Sequence, residues 1–266
     1  MQDSNRAARE FTRLLEIMAL LRSANGCPWD REQTIDSLKP FVLEETYEVL
    51  EAIDRHDHDA LGEELGDFLF EAVFLAQLEA EAGHFTMADA LKSVSDKLVQ
   101  RHPHVFARGE GEPVVSADQV RARWEDIKAQ DAKTLLGGVP WTLPSLLRAY
   151  QIGLRAASVG FDWTRPDDVM AKIREEIDEL GQVAGAETSL DQGRAEEEMG
   201  DLLFAIANLS RKLGIEPETA LRKANEKFTV RFTTMERSIG ETGRVMRAMS
   251  IDQLEEEWEK AKEKES

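Results

Sequence analysis

Apolar residues return every three or four positions along most of this chain. Leu14, Leu15, Met18 and Leu21 show the spacing at the start. A recurrence of that kind lines one face of an α-helix. No stretch alternates with the two-residue period of a strand. The pattern predicts helices over Ala7–Arg22, Pro40–Arg55, Asp59–Ala82, Met87–Gln100 and Ala117–Ala129. It predicts five more over Leu143–Ser158, Pro166–Ala184, Gln192–Leu213, Pro217–Ile239 and Ile251–Glu263. The Gly-containing segments 107–118 and 240–250 are expected to be mobile. The longest apolar runs, such as Phe68–Leu78, are interrupted by Glu71 and are too short to span a bilayer. The fold expected is all-α.

The two groups of helices repeat each other. Gly26-Cys27-Pro28-Trp29-Asp30 returns as Gly160-Phe161-Asp162-Trp163-Thr164. Glu44-Glu45-Thr46-Tyr47-Glu48 returns as Glu175-Glu176-Ile177-Asp178-Glu179, and Glu63-Glu64-Leu65-Gly66-Asp67 as Glu197-Glu198-Met199-Gly200-Asp201. Lys97 and Arg101 return as Lys227 and Arg231, and Trp124 as Trp258. The offsets stay between 130 and 134 residues, which is the length of a domain and not of a solenoid unit. Gly137, Gly138, Pro140 and Pro144 break helix continuity near Gln130–Ser145. Two tandem helical domains, 1–130 and 131–266, are therefore expected, assembled as a dimer.

Charge narrows the function. The chain carries 52 Asp+Glu against 33 Lys+Arg, a net charge of −19. That excess argues against a nucleic-acid polymer or an anionic membrane as partner. A small anionic substrate remains compatible where metal ions or a few basic residues neutralise it. Cys27 is the one cysteine, so no intrachain disulfide and no Cys-based zinc site can form. A reducing cytoplasm is the expected compartment.

Within each repeat the acids sit at helical spacing. Glu176 and Glu179 lie three apart on one predicted helix, and Glu198 and Asp201 three apart on the next. Such pairs share a face. Glu175 lies near the same face. The first repeat offers Glu44, Glu45, Glu48, Glu64 and Asp67. A solvated acidic face is the plain explanation for any one of these residues. The neighbours argue otherwise: Asp201 and Asp67 head strongly apolar segments and are expected to be partly buried. Two carboxylates ~4 Å apart repel by roughly 4 kcal/mol at an effective dielectric near 20. Four converging acids are either splayed into water or held by a cation, and oxygen-only ligands select Mg²⁺, Mn²⁺ or Ca²⁺ over zinc; Mg²⁺ is the expected cofactor, with Mn²⁺ as a substitute. Gly66 and Gly200 are expected to permit close backbone approach. His102-Pro103-His104 is expected to be extended or turned and structural. Trp29 and Trp163 are expected in the core.

This ordered set closely resembles the MazG family of nucleoside triphosphate pyrophosphohydrolases. The resemblance runs from about Leu14 to Lys262. Its most specific strings are Asn25-Gly26-Cys27-Pro28-Trp29-Asp30, Arg101-His102-Pro103-His104-Val105-Phe106, Val159-Gly160-Phe161-Asp162-Trp163 and Lys223-Ala224-Asn225-Glu226-Lys227-Phe228. The resemblance implies a helical dimer that hydrolyses a nucleoside triphosphate to monophosphate and pyrophosphate. It implies Glu176, Glu179, Glu198 and Asp201 as Mg²⁺ ligands, Lys227 and Arg231 as triphosphate contacts, and Trp258 at the nucleotide. Lys172, Arg174, Arg194, Glu197, Lys223 and Asn225 are further candidates for the nucleotide site. Glu175 is the candidate general base. Trp258, set among glutamates, either stacks on a base or anchors the core.

The repeats differ in their cations. Where the second has Lys172, Arg174, Arg194, Lys223 and Asn225, the first has Phe41, Leu43, Ala60, Ser93 and Ser95. The second repeat is the expected catalytic one. Glu45, Glu48, Glu64, Asp67, Lys97, Arg101 and Trp124 would form a weaker or structural second site. The main rival is a non-enzymatic helical adaptor dimer with a metal-stabilised acidic core.

Overall fold

The computed structural model describes residues 2–107, 116, 134–185 and 191–263. Every regular element among the described residues is helical. In chain order these are α1 (Gln2–Leu21), α2 (Pro28–Glu32), α3 (Ile35–Arg55), α4 (His58–Glu81), α5 (Met87–Arg101) and α6 (Pro103–Phe106). They continue as α7 (Ser145–Ser158), α8 (Pro166–Ala184), α9 (Gln192–Lys212), α10 (Pro217–Glu241), a 3₁₀ turn (Met246–Ala248) and α11 (Ile251–Glu263). The predicted helix Ala117–Ala129, and Trp124 with it, lies outside the described residues. The chain divides into two compact units, Met1–Val114 and Val115–Ser266. No described helix is long and apolar enough to cross a membrane.

Local chemistry sets where the helices begin. The Thr34 hydroxyl accepts from the Ser37 N–H at 3.2 Å, and the Ser37 hydroxyl accepts from the Thr34 N–H at 2.9 Å. This reciprocal cap starts α3 at Ile35, ahead of Pro40, where the sequence predicted the start. Pro40 then sits inside the helix and forfeits only the bond its missing N–H would have made to Asp36. Asp57, Asp191 and Glu216 cap α4, α9 and α10 one way only: Asp57 and Glu216 each accept from two backbone N–H groups of the first turn, and Asp191 accepts from that of Arg194. Helices α8 and α11 take the bounds predicted for them.

In the first unit, α3 and α1 pack on α4. Met18, Leu38, Val73 and Phe74 form the buried core, with Phe11, Phe41 and Phe70 against it. The Arg22 guanidinium ties α1 to Glu81 of α4 at 2.6 Å and donates to the Asp30 carbonyl. In the second unit, α8 and α7 pack on α9, and α10 packs on α11. Met235, Ile239 and Ala261 make a small core there, with Met246, Met249, Leu254 and Trp258 around it. Segment 240–250, expected to be mobile, thus contributes two methionines to that core. His102-Pro103-His104, expected to be extended or turned, opens the single-turn helix 103–106, with Pro103 at its first position, where no N–H is needed. Trp29 is half exposed rather than core, meeting Phe41 edge-on at 5.7 Å, and Trp163 is half-buried.

Candidate functional site

The α8–α9 pair brings acids from both helices together. Carboxylate oxygens of Glu176, Glu198 and Asp201 lie within 4.8 Å of one another. Glu176 is buried at 3% exposure, and its Oε2 accepts no hydrogen bond from the described residues. Asp201 and Asp67, both expected to be partly buried, are exposed. Burial falls instead on Glu176, because α8 turns that position toward α9 while α9 leaves the Asp201 face open. Gly200 and Gly66 have open space where a Cβ would stand, so neither serves close backbone approach. Glu179 stands outside the tight triple but within its field. Burial, then the charges of Glu198 and Glu176, push its carboxyl above the usual range.

Cations meet these acids from the same helices. Lys172, one turn before Glu176 on α8, places its Nζ 2.7 Å from Glu176 Oε1 and 2.8 Å from Glu175 Oε1. Those hydrogen bonds, to Glu175 first, hold the ammonium above the ordinary lysine range. Arg194 reaches Glu198 at 4.0 Å along α9. Arg174, Glu175 and Glu197 are exposed. Lys223, Asn225, Lys227 and Arg231 stand on α10, which packs on both α7 and α9. The first three are exposed and Arg231 is half-buried. Trp258, half-buried, meets Phe228 at 5.1 Å and packs against the α10–α11 core. Arg244, from outside α11, and Lys260, one turn along it, both donate to the buried Glu257.

The α3–α4 pair of the first unit makes a comparable cluster. Oxygens of Glu45, Glu48 and Glu64 lie within 4.8 Å of one another. Burial and the charges of Glu48, Asp67 and Glu64 push Glu45 up, and burial and Glu48 push Glu64 up. Lys97 is exposed and Arg101 half-buried on α5. Sequence reasoning passed over Glu71, treating it as an interruption of an apolar run. It lies one turn beyond Asp67 and is buried at 7% exposure. The available signal was its spacing, four after Asp67 and seven after Glu64, which continues their stripe.

Known proteins resemble this chain in sequence over most of its length. Residues 33–106 match the family model described as the MazG nucleotide pyrophosphohydrolase domain. The chain is 49% identical over 262 residues to the nucleoside triphosphate pyrophosphohydrolase of Escherichia coli strain K12, covering 96% of this chain and 98% of the relative. It is 45% identical over 256 residues to the nucleoside triphosphate pyrophosphohydrolase/pyrophosphatase MazG of Thermotoga maritima, covering 95% of each. A Mycolicibacterium smegmatis nucleoside triphosphate pyrophosphohydrolase is 36% identical over 156 residues, 56% of this chain and 47% of the relative. The fold is all-helical, and the relatives define a class of nucleotide hydrolases. Within it, this chain belongs to the MazG family of nucleoside triphosphate pyrophosphohydrolases.

Proposed function

We propose that this chain hydrolyses nucleoside triphosphates, ATP among them, to monophosphate and pyrophosphate at the α8–α9 acid cluster, with Mg²⁺ as cofactor. One observation carries the reading: Glu176, Glu198 and Asp201 converge while a buried Glu176 oxygen has no partner. Buried unpaired carboxylate oxygens are costly, and a hard divalent cation is the group that this donor set fits. Glu176, Glu179, Glu198 and Asp201 would hold it. Mn²⁺ is the expected substitute. When bound, such ions lower the pKa of a coordinated water and offset charge on the leaving pyrophosphate.

The remaining work falls to the chain's own groups. Glu175, at the rim beside Glu176, takes the proton of the attacking water. Lys172 exchanges its bonds to Glu175 and Glu176 for a phosphate oxygen, which frees both acids as the substrate seats. Arg174, Arg194 and Glu197 line the α8–α9 rim. Lys223, Asn225, Lys227 and Arg231 face the triphosphate from α10, where Lys227 and Arg231 are one turn apart. Trp258 serves the nucleotide side by fixing α10 against α11.

The second unit is the catalytic domain and the first the structural one. The matching order of packed pairs, α1 and α3 on α4, α7 and α8 on α9, supports the duplication. The protein acts as a cytoplasmic homodimer. Met199, Leu203 and Ile206 lie on one face of α9 and are 40–44% exposed in the single chain, an apolar stripe suited to a second copy.

Product analysis over a panel of nucleoside triphosphates with Mg²⁺ titration tests the reading. Monophosphate and pyrophosphate in equal amounts support it. Diphosphate and orthophosphate would assign a phosphatase. No turnover by a folded chain would favour the adaptor.

A further inference from the structure

The second unit carries a cleft that shares no residue with its acid cluster. It has a volume of about 660 Å³ and lies between α7 and α9, with the loop after α7 at its rim. Phe161, Trp163 and Phe204 supply aromatic wall, and Asp162, Asn208 and Arg211 supply polar groups. Hydrogen bonds fix the rim. Gly160, at φ +84°, ends α7, and the N–H groups of Gly160 and Phe161 donate to the Ala157 and Ala156 carbonyls at 3.0 and 3.1 Å. Arg211 and Lys212 both donate to the Asp162 carboxylate, and Lys212 also donates to the Trp163 carbonyl. A residue placed as Phe161 is commonly packs back on its own helix. Here it stays 83% exposed at the mouth of the cleft.

The first unit lacks this chemistry. At the offset that pairs Asp67 with Asp201, Cys27, Pro28, Phe74 and Gln77 stand where the second unit has Phe161, Asp162, Asn208 and Arg211. Phe74 is fully buried in the first core, whereas its counterpart Asn208 buries an amide at 1% exposure. A buried amide in place of a phenyl ring weakens a core, so packing alone does not account for the change. We propose that the cleft binds a nucleobase, packed against Phe161 and Trp163 with its polar edge toward Asp162. Rigid aromatic walls suit a planar ring, which loses little freedom on binding. The Asp162 side chain is still 20% exposed and can accept from ring N–H or amino groups. Among planar rings with such donors, a nucleobase is the one that a nucleoside triphosphate carries. The base belongs either to the substrate itself or to a second nucleotide. The inference rests on neither the acid cluster nor its metal, because a nucleoside has no phosphate to place there.

The test uses the full chain in metal-free buffer, with adenosine as the probe. Saturation-transfer NMR is expected to mark the adenine ring protons, with an effect that saturates on titration. Phe161→Ala, at an exposed position, should weaken binding by at least about fivefold, and Phe161→Tyr should restore it. Turnover of a nucleoside triphosphate with adenosine present then assigns the source. A rise in KM with kcat unchanged means that the cleft takes the substrate's own base, and any other result means a second nucleotide. No transfer to the ring protons, or equal affinity in Phe161→Ala, overturns the inference.

Discussion

Lys172 is the residue on which charge balance at the second cluster turns. Its ammonium lies on Glu175 and Glu176, so it partly neutralises the acids, and under the proposed function it moves to a phosphate oxygen. A charge-assisted hydrogen bond is worth roughly 1.5–3 kcal/mol. Lys172→Met is expected to raise KM for the triphosphate by about tenfold or more, with a smaller change in kcat, in steady-state kinetics. An unchanged KM would remove Lys172 from substrate binding. Asp162 makes a second, structural point. Burial opposes its ionisation, but hydrogen bonds from Arg211 and Lys212 outweigh burial and hold the carboxyl below the usual range. Its contribution is therefore complete above the unfolded value near pH ~4 and is lost as pH falls through the lower folded value. Asp162→Asn should cost about 2–3 kcal/mol in urea unfolding at pH 7, and the difference should shrink at acid pH. A constant difference would contradict this. The acid pairs behind these residues were legible, because i,i+3 spacing is a property of the string. The Lys172 pairs share that legible i,i+3 and i,i+4 spacing, but the burial of the Glu176 carboxylate that takes the ammonium does not show in the string. Glu71 was missed because its three apolar neighbours, Phe68, Leu69 and Phe70, masked the stripe to which it belongs.

Helices were legible where a chain break coincided with a cap. Pro166 and Ala184 bound α8 as predicted, since proline at the first position and Gly185 beyond the end are explicit signals. At α3 the proline misled, because the Thr34–Ser37 cap sits further upstream and prevails over it. Helix α2, a five-residue turn begun by Pro28, is too short for a periodic pattern. Between elements, the decisive positions are small. A Cβ at Gly153 on α7 would come within 2.3 Å of the Asn208 Oδ1 on α9. Asn208 is 1% exposed and donates to the Phe204 carbonyl, so it has little room to withdraw. Gly153→Ala is expected to destabilise the second unit by about 1–3 kcal/mol, read as a lower melting temperature. Wild-type stability in that variant would show that α7 can slide on α9.

At the scale of the whole molecule, acidity and apolar exposure pull in different directions. A chain with net charge −19 repels its own substrate and its own copy. Under the proposed function, a local group of basic side chains in the second unit answers the first. Under the proposed dimer, burial of the apolar stripe of α9 answers the second. Leu203→Glu should convert a dimer to a monomer in sedimentation equilibrium while helicity is kept. A monomeric wild-type chain would refute the dimer. The repeat itself was visible in five ordered matches, yet only folded coordinates reveal that α8 hides Glu176 while Asp201 stays open. The central claim is that turnover belongs to the second unit's carboxylates. Pyrophosphate release at saturating Mg²⁺ by Glu176→Ala, set beside Glu48→Ala, tests it most directly. The account predicts that the first substitution abolishes release and that the second leaves most of it. Equal losses, or activity surviving in Glu176→Ala, would contradict it.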